Sequence, residues 1–153
     1  MRIEISGKTK ALSNRIIRAA LRFYARKLVS PRTYKALNVH LKFTEKAASF
    51  RAEMWPRKRR THFTIRCSPL TGPYQVLADL AHEMVHVDQY HKGLLMETQK
   101  GTAWKGRVYT GDFMKQNDAY WNAPWEIDAG GRQYWLYKQC RLWLKSKGHR
   151  LRK

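Results

Sequence analysis

The stretch His82-Glu83-Met84-Val85-His86 is the most informative part of this 153-residue sequence. On an α-helix, His82 and His86 lie about one turn apart and point the same way, so their imidazoles can bind one zinc ion. Glu83 projects beside them, where it can hold a water molecule on the metal and accept its proton. The pattern therefore predicts one zinc ion per chain and a hydrolytic reaction.

The residues around this motif predict a helix over 73–91 with two distinct faces. One face is apolar and consists of Leu77, Leu80, Ala81, Met84 and Val85. The two histidines and Glu83 fall on the adjoining face, so one side can pack while its neighbour holds a metal. Asp88 falls on the apolar side, where it is interpreted as a buried hydrogen-bond partner whose role stays open.

The remaining pattern predicts an α+β fold in one domain over 1–145, followed by a basic tail over 146–153. An amphipathic helix over 10–29 ends before Pro31, and a closing helix begins at Pro124 and runs to about Lys145. Between them the alternation of apolar residues predicts a sheet of about three strands, over 36–44, 48–55 and 61–67, and a hairpin over 94–111 with its turn at 99–102.

A catalytic zinc site needs a third protein ligand, and Glu126 is the preferred candidate. The downstream alternatives are His91, Glu97, Asp112, Asp118, Asp128 and His149. On the closing helix Glu126 shares a face with Ala129, whereas Asp128 points about 160° away. Gly130 and Gly131 weaken a helix, which indicates close packing there. A first-turn acid can also simply favour the positive end of a helix.

The motif followed by Pro124-Trp125-Glu126-Ile127-Asp128-Ala129 resembles the small zinc metallopeptidases of the gluzincin type. The string from Trp104-Lys105-Gly106 through Tyr120-Trp121 to Glu126 also resembles small metallopeptidases of tailed bacteriophages that are described as SprT-like. The resemblance covers residues 74–135 and implies a minimal zincin-like fold with Glu126 as third ligand. The sequence departs from SprT proteins in one respect. Those proteins carry a third histidine in a His-Gly context, and this chain has no such histidine downstream of His86.

If the resemblance holds, Glu83 is the general base of a zinc-dependent peptide hydrolysis. A protein or peptide substrate is then expected to add a strand at the sheet edge near Thr61–Cys67. The residues expected to stabilise the oxyanion or contact substrate are Tyr109, Tyr120, Tyr134 and Arg132.

The net charge is +20, from 31 Lys and Arg against 11 Asp and Glu. Such a charge predicts an attraction to DNA or RNA; the alternative is that it only keeps the protein soluble. The residues proposed to contact nucleic acid are Arg57, Lys58, Arg59, Arg60, Lys145, Lys147, Arg150, Arg152 and Lys153. A different hypothesis is therefore a nucleic-acid-binding protein with a structural or vestigial zinc site. A hybrid, a peptidase that acts near nucleic acid, combines both.

Cys67 offers a third hypothesis, a deformylase-like amide hydrolase with a cysteine ligand upstream of the motif. Its place in an alternating strand favours a buried structural thiol instead. The start of the sequence has no apolar signal segment and no stretch resembles a membrane span, so we expect a cytoplasmic protein with reduced Cys67 and Cys140 and no membrane partner. For a phage-encoded chain this is the host cytoplasm. Substrate, cleavage specificity and oligomeric state stay open.

Overall fold

Seven strands and four helices make up the part of the chain that the computed structural model describes, residues 1–45, 51–110, 120–149 and 151. In chain order they are β1 Arg2–Ser6, α1 Asn14–Leu28, α2 Pro31–Ala36, β2 Asn38–Phe43, β3 Ala52–Pro56, β4 His62–Cys67, α3 Pro73–His91, β5 Leu95–Thr98, β6 Gly101–Trp104, β7 Arg107–Tyr109 and α4 Pro124–Ser146. The predicted α+β class is confirmed.

The main sheet has four strands in the order β1-β2-β4-β3 rather than the predicted three. β1, β2 and β4 are parallel, and β3 runs antiparallel to β4. The alternation in β2 buries Val39, Leu41 and Phe43 on one face, as expected for a half-buried strand. The additional strand is β1, a five-residue segment whose pairing with β2 depends on residues 36 positions away.

The order of strands corrects the predicted edge of the sheet. β4, which contains the expected substrate edge 61–67, lies between β2 and β3 and is paired on both sides. On the β4 side of the sheet the outer strand is β3. It was predicted over 48–55 and is observed over Ala52–Pro56, while residues 46–50 lie outside the described part. A substrate strand would therefore have to add to β3.

Three helices, α1, α3 and α4, share one core with the buried face of the main sheet. α1 begins at Asn14 rather than residue 10, because the Ser13 hydroxyl accepts a hydrogen bond from the Ile16 backbone N–H. Tyr24 is fully buried and its hydroxyl donates to the Leu77 carbonyl on α3. The short helix α2 was not predicted; it begins at Pro31, with Ser30 as its N-cap.

The predicted hairpin over 94–111 is a three-stranded antiparallel sheet, β5-β6-β7. Its second turn, at Lys105 and Gly106, divides the segment that was expected to form a single return strand. Gly101 has a φ of +132°, and a Cβ there would lie 2.3 Å from the Tyr109 carbonyl oxygen. This position therefore requires glycine.

α4 runs to Ser146, and the start of the predicted tail folds back on it. The His149 N–H donates to the Leu144 carbonyl, and Leu151 packs against the main core. The expectation that Gly130 and Gly131 allow close packing is wrong, since both are exposed and an added Cβ would meet no atom within 4 Å. None of the helices in the described ranges has the length and apolar content that a membrane span requires.

Candidate metal centre

Two helices bring together the three side chains that sequence reasoning selected as metal ligands. His82 and His86 lie on α3, and Glu126 lies in the first turn of α4. His82 Nε2 lies 3.0 Å from His86 Nε2 and 3.0 Å from Glu126 Oε2, while His86 Nε2 lies 3.4 Å from Glu126 Oε1. The group could hold a metal ion.

The chemistry of this donor set fits a small divalent cation. A tetrahedral zinc site with bonds of about 2.0–2.1 Å separates its ligand atoms by about 3.3 Å, close to the distances from His82 Nε2 to His86 Nε2 and to Glu126 Oε2. Two imidazole nitrogens and a carboxylate can all present lone pairs to the same point. Without a shared cation or proton, such converging lone pairs would repel one another.

Gln89 fixes the proton position on His86. The Gln89 amide nitrogen donates to the Trp125 carbonyl at 3.0 Å and to Asp128 Oδ2 at 2.8 Å. Its oxygen must then accept the hydrogen bond from His86 Nδ1, 2.8 Å away. In the neutral imidazole this leaves the lone pair on Nε2, the atom that faces His82 and Glu126.

A set of ion pairs around the buried Asp88 continues from Gln89. Asp88, fully buried, accepts hydrogen bonds from Arg132 at 2.8 Å and from Lys92 at 2.9 Å. Arg132 also contacts Asp128 at 3.3 Å, and Asp128 accepts from Gln89. The open role of Asp88 is therefore an ion pair that joins α3 to α4. Arg132, expected near the oxyanion, is instead held between two carboxylates.

Glu126 is ionised in this arrangement. Burial alone would raise the pKa of Glu126, but in the metal-free site a proton that His82 or His86 shares with the carboxylate outweighs burial and lowers the pKa to about 2. Its side chain is 3% exposed, so these partners, rather than solvent, compensate its charge. The alternative that Glu126 only favours the positive end of α4 does not explain why its carboxylate faces both histidines.

Glu83 lies next to this group and lines a cavity of about 490 Å³. It is buried, and among the described residues none donates a hydrogen bond to its carboxyl group. Burial raises the pKa of Glu83 to about 8, an effect that Glu126 and Asp79 increase and that His82 opposes. A buried carboxyl group that has no hydrogen-bond partner in the described chain and opens to a cavity is suited to proton transfer with a bound molecule.

The cavity is acidic and lies against β3, the last strand in the order of the main sheet. Its walls include four carboxylates, and no lysine or arginine within the described ranges lines it. The acidic residues are Glu53, Glu83, Glu97 and Glu126. Glu53 pairs with Arg66 at 3.1 Å, whereas Glu97 accepts hydrogen bonds only from the uncharged Tyr90 and Thr102 in the described structure.

Of the four residues expected to stabilise the oxyanion or contact substrate, all within the described chain, Tyr120 is the one that lines the cavity. Burial, together with the nearby Glu126 carboxylate, raises its pKa. Tyr109 packs edge-on against Trp125, with ring centroids 5.7 Å apart. Tyr134 is exposed on α4, where Lys138 lies over its ring.

Neither cysteine joins the ligand group that the described residues form. Cys67 and Cys140 are fully buried and are not paired with each other. Burial raises the pKa of the Cys67 thiol to about 12 and that of the Cys140 thiol to about 11. Both thiols are therefore protonated groups in the core. For Cys67 this is the buried structural role that its position in an alternating strand predicted, and it does not favour a thiolate ligand from Cys67.

The basic residues proposed to contact nucleic acid lie in separate places. Arg57, Lys58, Arg59 and Arg60 form the turn between β3 and β4, while Lys145 and Lys147 lie at the end of α4. Arg57 donates to Thr64, and Arg60 contacts Met96. Arg150, Arg152 and Lys153 lie outside the described residues.

The other ligand candidates also lie away from the group or outside the described chain. His91 bonds to Thr33 and to the Arg60 carbonyl, and Glu97 lies across the cavity in β5. Asp112 and Asp118 fall in the segment that the structure does not describe. Gln89 was missed, although its position three residues after His86 places it on an adjoining helix face.

Comparison with protein-family models, with curated proteins and with solved structures gives no match to this chain.

Proposed function

We propose that the chain is a zinc-dependent metallopeptidase with a minimal zincin-like fold and His82, His86 and Glu126 as zinc ligands. The observation that carries this proposal is the convergence of the three ligand atoms beside Glu83, a buried carboxyl group that opens into a cavity. Zinc, the preferred metal for a set of two imidazoles and one carboxylate, would supply a Lewis acid that polarises the scissile carbonyl and lowers the pKa of water.

Glu83 acts as the general base in this proposal. It takes a proton from the attacking water and returns it to the nitrogen of the leaving amine, so that the peptide bond is replaced by a carboxylate and an amine. Its pKa, raised by burial, would fall again beside a divalent cation, which favours the ionised form. Tyr120, already in the cavity, is the residue best placed to donate a hydrogen bond to the developing oxyanion.

The substrate in this proposal is an extended peptide that pairs with β3. This strand is at the end of the sheet order, and Glu53–Pro56 lines the cavity. An exposed strand edge offers backbone donors and acceptors that do not depend on the side chains of the substrate. The edge explains how a peptide bond would be held across a cavity whose catalytic groups come from α3 and α4.

The test is hydrolysis of casein by the purified chain. Activity is expected to be lost on treatment with a zinc chelator and to return when one equivalent of zinc is added back. Matched samples of a His82→Ala variant should show neither activity nor recovery. A chain that binds zinc through these residues but cleaves no peptide under any condition would favour the alternative of a structural or vestigial site.

A further inference from the structure

The outer face of α1 carries four arginines in a row: Arg15, Arg18, Arg22 and Arg26. At about 100° and 1.5 Å per residue, these positions fall within about 80° of the helix circumference and span about 16 Å along it. Three of them are exposed, and Arg18 is half-buried because its guanidinium donates to the Ile3 carbonyl of β1. We call this set the arginine row.

No acidic residue lies near the arginine row in the sequence. Between Glu4 and Glu45 the sequence contains ten lysines and arginines and no aspartate or glutamate. Within the described structure, Arg15 and Arg22 form no ion pair and no hydrogen bond, and Arg26 lies over the Tyr34 ring at 5.2 Å. The guanidinium groups of Arg15 and Arg22 are thus available to a ligand.

The row works against the stability of its own helix. Like charges three or four residues apart repel one another, and the row contains three such pairs. Arg15 also lies in the first turn, near the positive end of the helix dipole, where α1 has no acidic residue. A ligand with several negative charges along its length would relieve all of these repulsions together.

We propose that the arginine row binds the phosphate backbone of a nucleic acid. Guanidinium groups match phosphate oxygens with two parallel hydrogen bonds, and a straight row of four fits a polymer better than one isolated anion. This surface differs from the turn and tail residues selected from sequence. It does not depend on the proposed peptidase activity.

The burial of α1 favours nucleic acid over an anionic membrane as the occupant. The apolar side of the helix, including Ile17, Leu21 and Tyr24, is fully buried in the core. None of the large apolar side chains of α1 is exposed, so the helix offers nothing to insert between lipids. For the same reason α1 offers no exposed ring that could stack on bases. The contacts of the arginine row are therefore with phosphates and independent of base sequence.

The test compares two charge-matched variants of the full chain by fluorescence anisotropy with a labelled 20-base-pair DNA duplex. The row variant carries Arg15→Gln, Arg22→Gln and Arg26→Gln. The control variant removes the same charge from three separate exposed positions that belong to neither the arginine row nor the turn and tail residues, as Lys42→Gln, Lys100→Gln and Lys138→Gln. Because the replaced arginines repel one another, the row variant should be at least as stable to heat as the wild type.

For the wild type, four phosphate contacts predict that log affinity falls against log salt with a slope of about −3 to −4. The row variant should lose about three units of this slope and bind more than ~10-fold more weakly at 0.1 M salt, while the control keeps most of its affinity. Equal losses in the two variants, or no binding by the wild type at low salt, would overturn the proposal. So would row-dependent binding to phosphatidylserine vesicles without binding to DNA. A Glu83→Gln variant should bind DNA unchanged, which keeps this result separate from the peptidase test.

Discussion

The cavity beside α3 and the outer face of α1 have opposite charge in a chain whose net charge is +20. Four of the eleven acidic residues of the sequence line the cavity. The forty residues 5–44, which include α1, contain no acidic residue. The cavity lies at the β3 edge of the main sheet, and Arg18 ties α1 to β1 at the other edge. Net charge therefore describes the exterior of this protein and says nothing about the chemistry of its cavity.

The largest expected effect concerns the base in the cavity. Glu83→Gln removes a proton acceptor but keeps the shape of the side chain, so hydrolysis of casein should fall by about 10²- to 10⁴-fold. Zinc content should not change, because Glu83 is not in the ligand group. Retained hydrolysis in a zinc-loaded Glu83→Gln sample would show that the base is a different residue.

Replacing Gln89 by leucine should weaken zinc binding by about 10- to 100-fold, because His86 loses the acceptor that fixes its ring. The measurement is competition with a chromophoric chelator, combined with ¹⁵N NMR of the metal-free protein to show which His86 nitrogen carries the proton.

The matched control for Gln89→Leu is Gln133→Leu. Gln133 also bridges α3 and α4, through a hydrogen bond of 3.0 Å to the Ala78 carbonyl, but does not contact either histidine. It should lower stability without changing zinc affinity or the His86 proton position. Equal losses of affinity in both variants would reduce Gln89 to a helix-packing residue.

The acidic lining predicts a moderate preference for substrates with a lysine or arginine near the scissile bond. Glu97→Gln should lower that preference by about two- to fivefold, since an exposed ion pair contributes about 0.2–1 kcal/mol. The measurement is the ratio of kcat/KM for two peptides that differ only by lysine and norleucine. Glu4→Gln, at the opposite edge of the sheet, is the control, and an equal change there would refute a local effect.

The smallest effect separates the two faces of α4. Gly130 is exposed with free space around its Cα, so Gly130→Ala should raise the free energy of unfolding by about 0.5–1 kcal/mol in urea denaturation. Hydrolysis should not change, because the ligand face of α4 is untouched.

Gly101→Ala is the opposite case and should destabilise the protein, given its positive φ and the nearby Tyr109 carbonyl.

Local periodicity predicted much of the fold and of the ligand geometry. α3 was predicted over the residues that it occupies, and the face that Glu126 shares with Ala129 could be read from a helical wheel because both signals lie within one element. β1 was not predicted, since five residues carry little periodicity and the strand is defined by its parallel partner. The interior position of β4 depends on the same long-range pairing.

The polar network behind His86 could not be predicted for a similar reason. Asp88 and Gln89 could be placed on α3 from sequence, but their partners Asp128 and Arg132 come from α4, and their contacts depend on how the two helices cross. The glycines of α4 were interpreted from propensity alone, which gives no information on whether their neighbours are protein or solvent.

X-ray absorption spectroscopy of the zinc-loaded protein tests the central claim most directly, because it identifies the atoms bound to the metal. One zinc per chain is expected, with two imidazole nitrogens and oxygen ligands at about 2.0–2.2 Å. The ligand group of His82, His86 and Glu126 leaves no place for sulfur. A sulfur shell at about 2.3 Å would contradict the assignment of His82, His86 and Glu126 as zinc ligands. Equal zinc affinity in Glu126→Ala and wild type would contradict it as well.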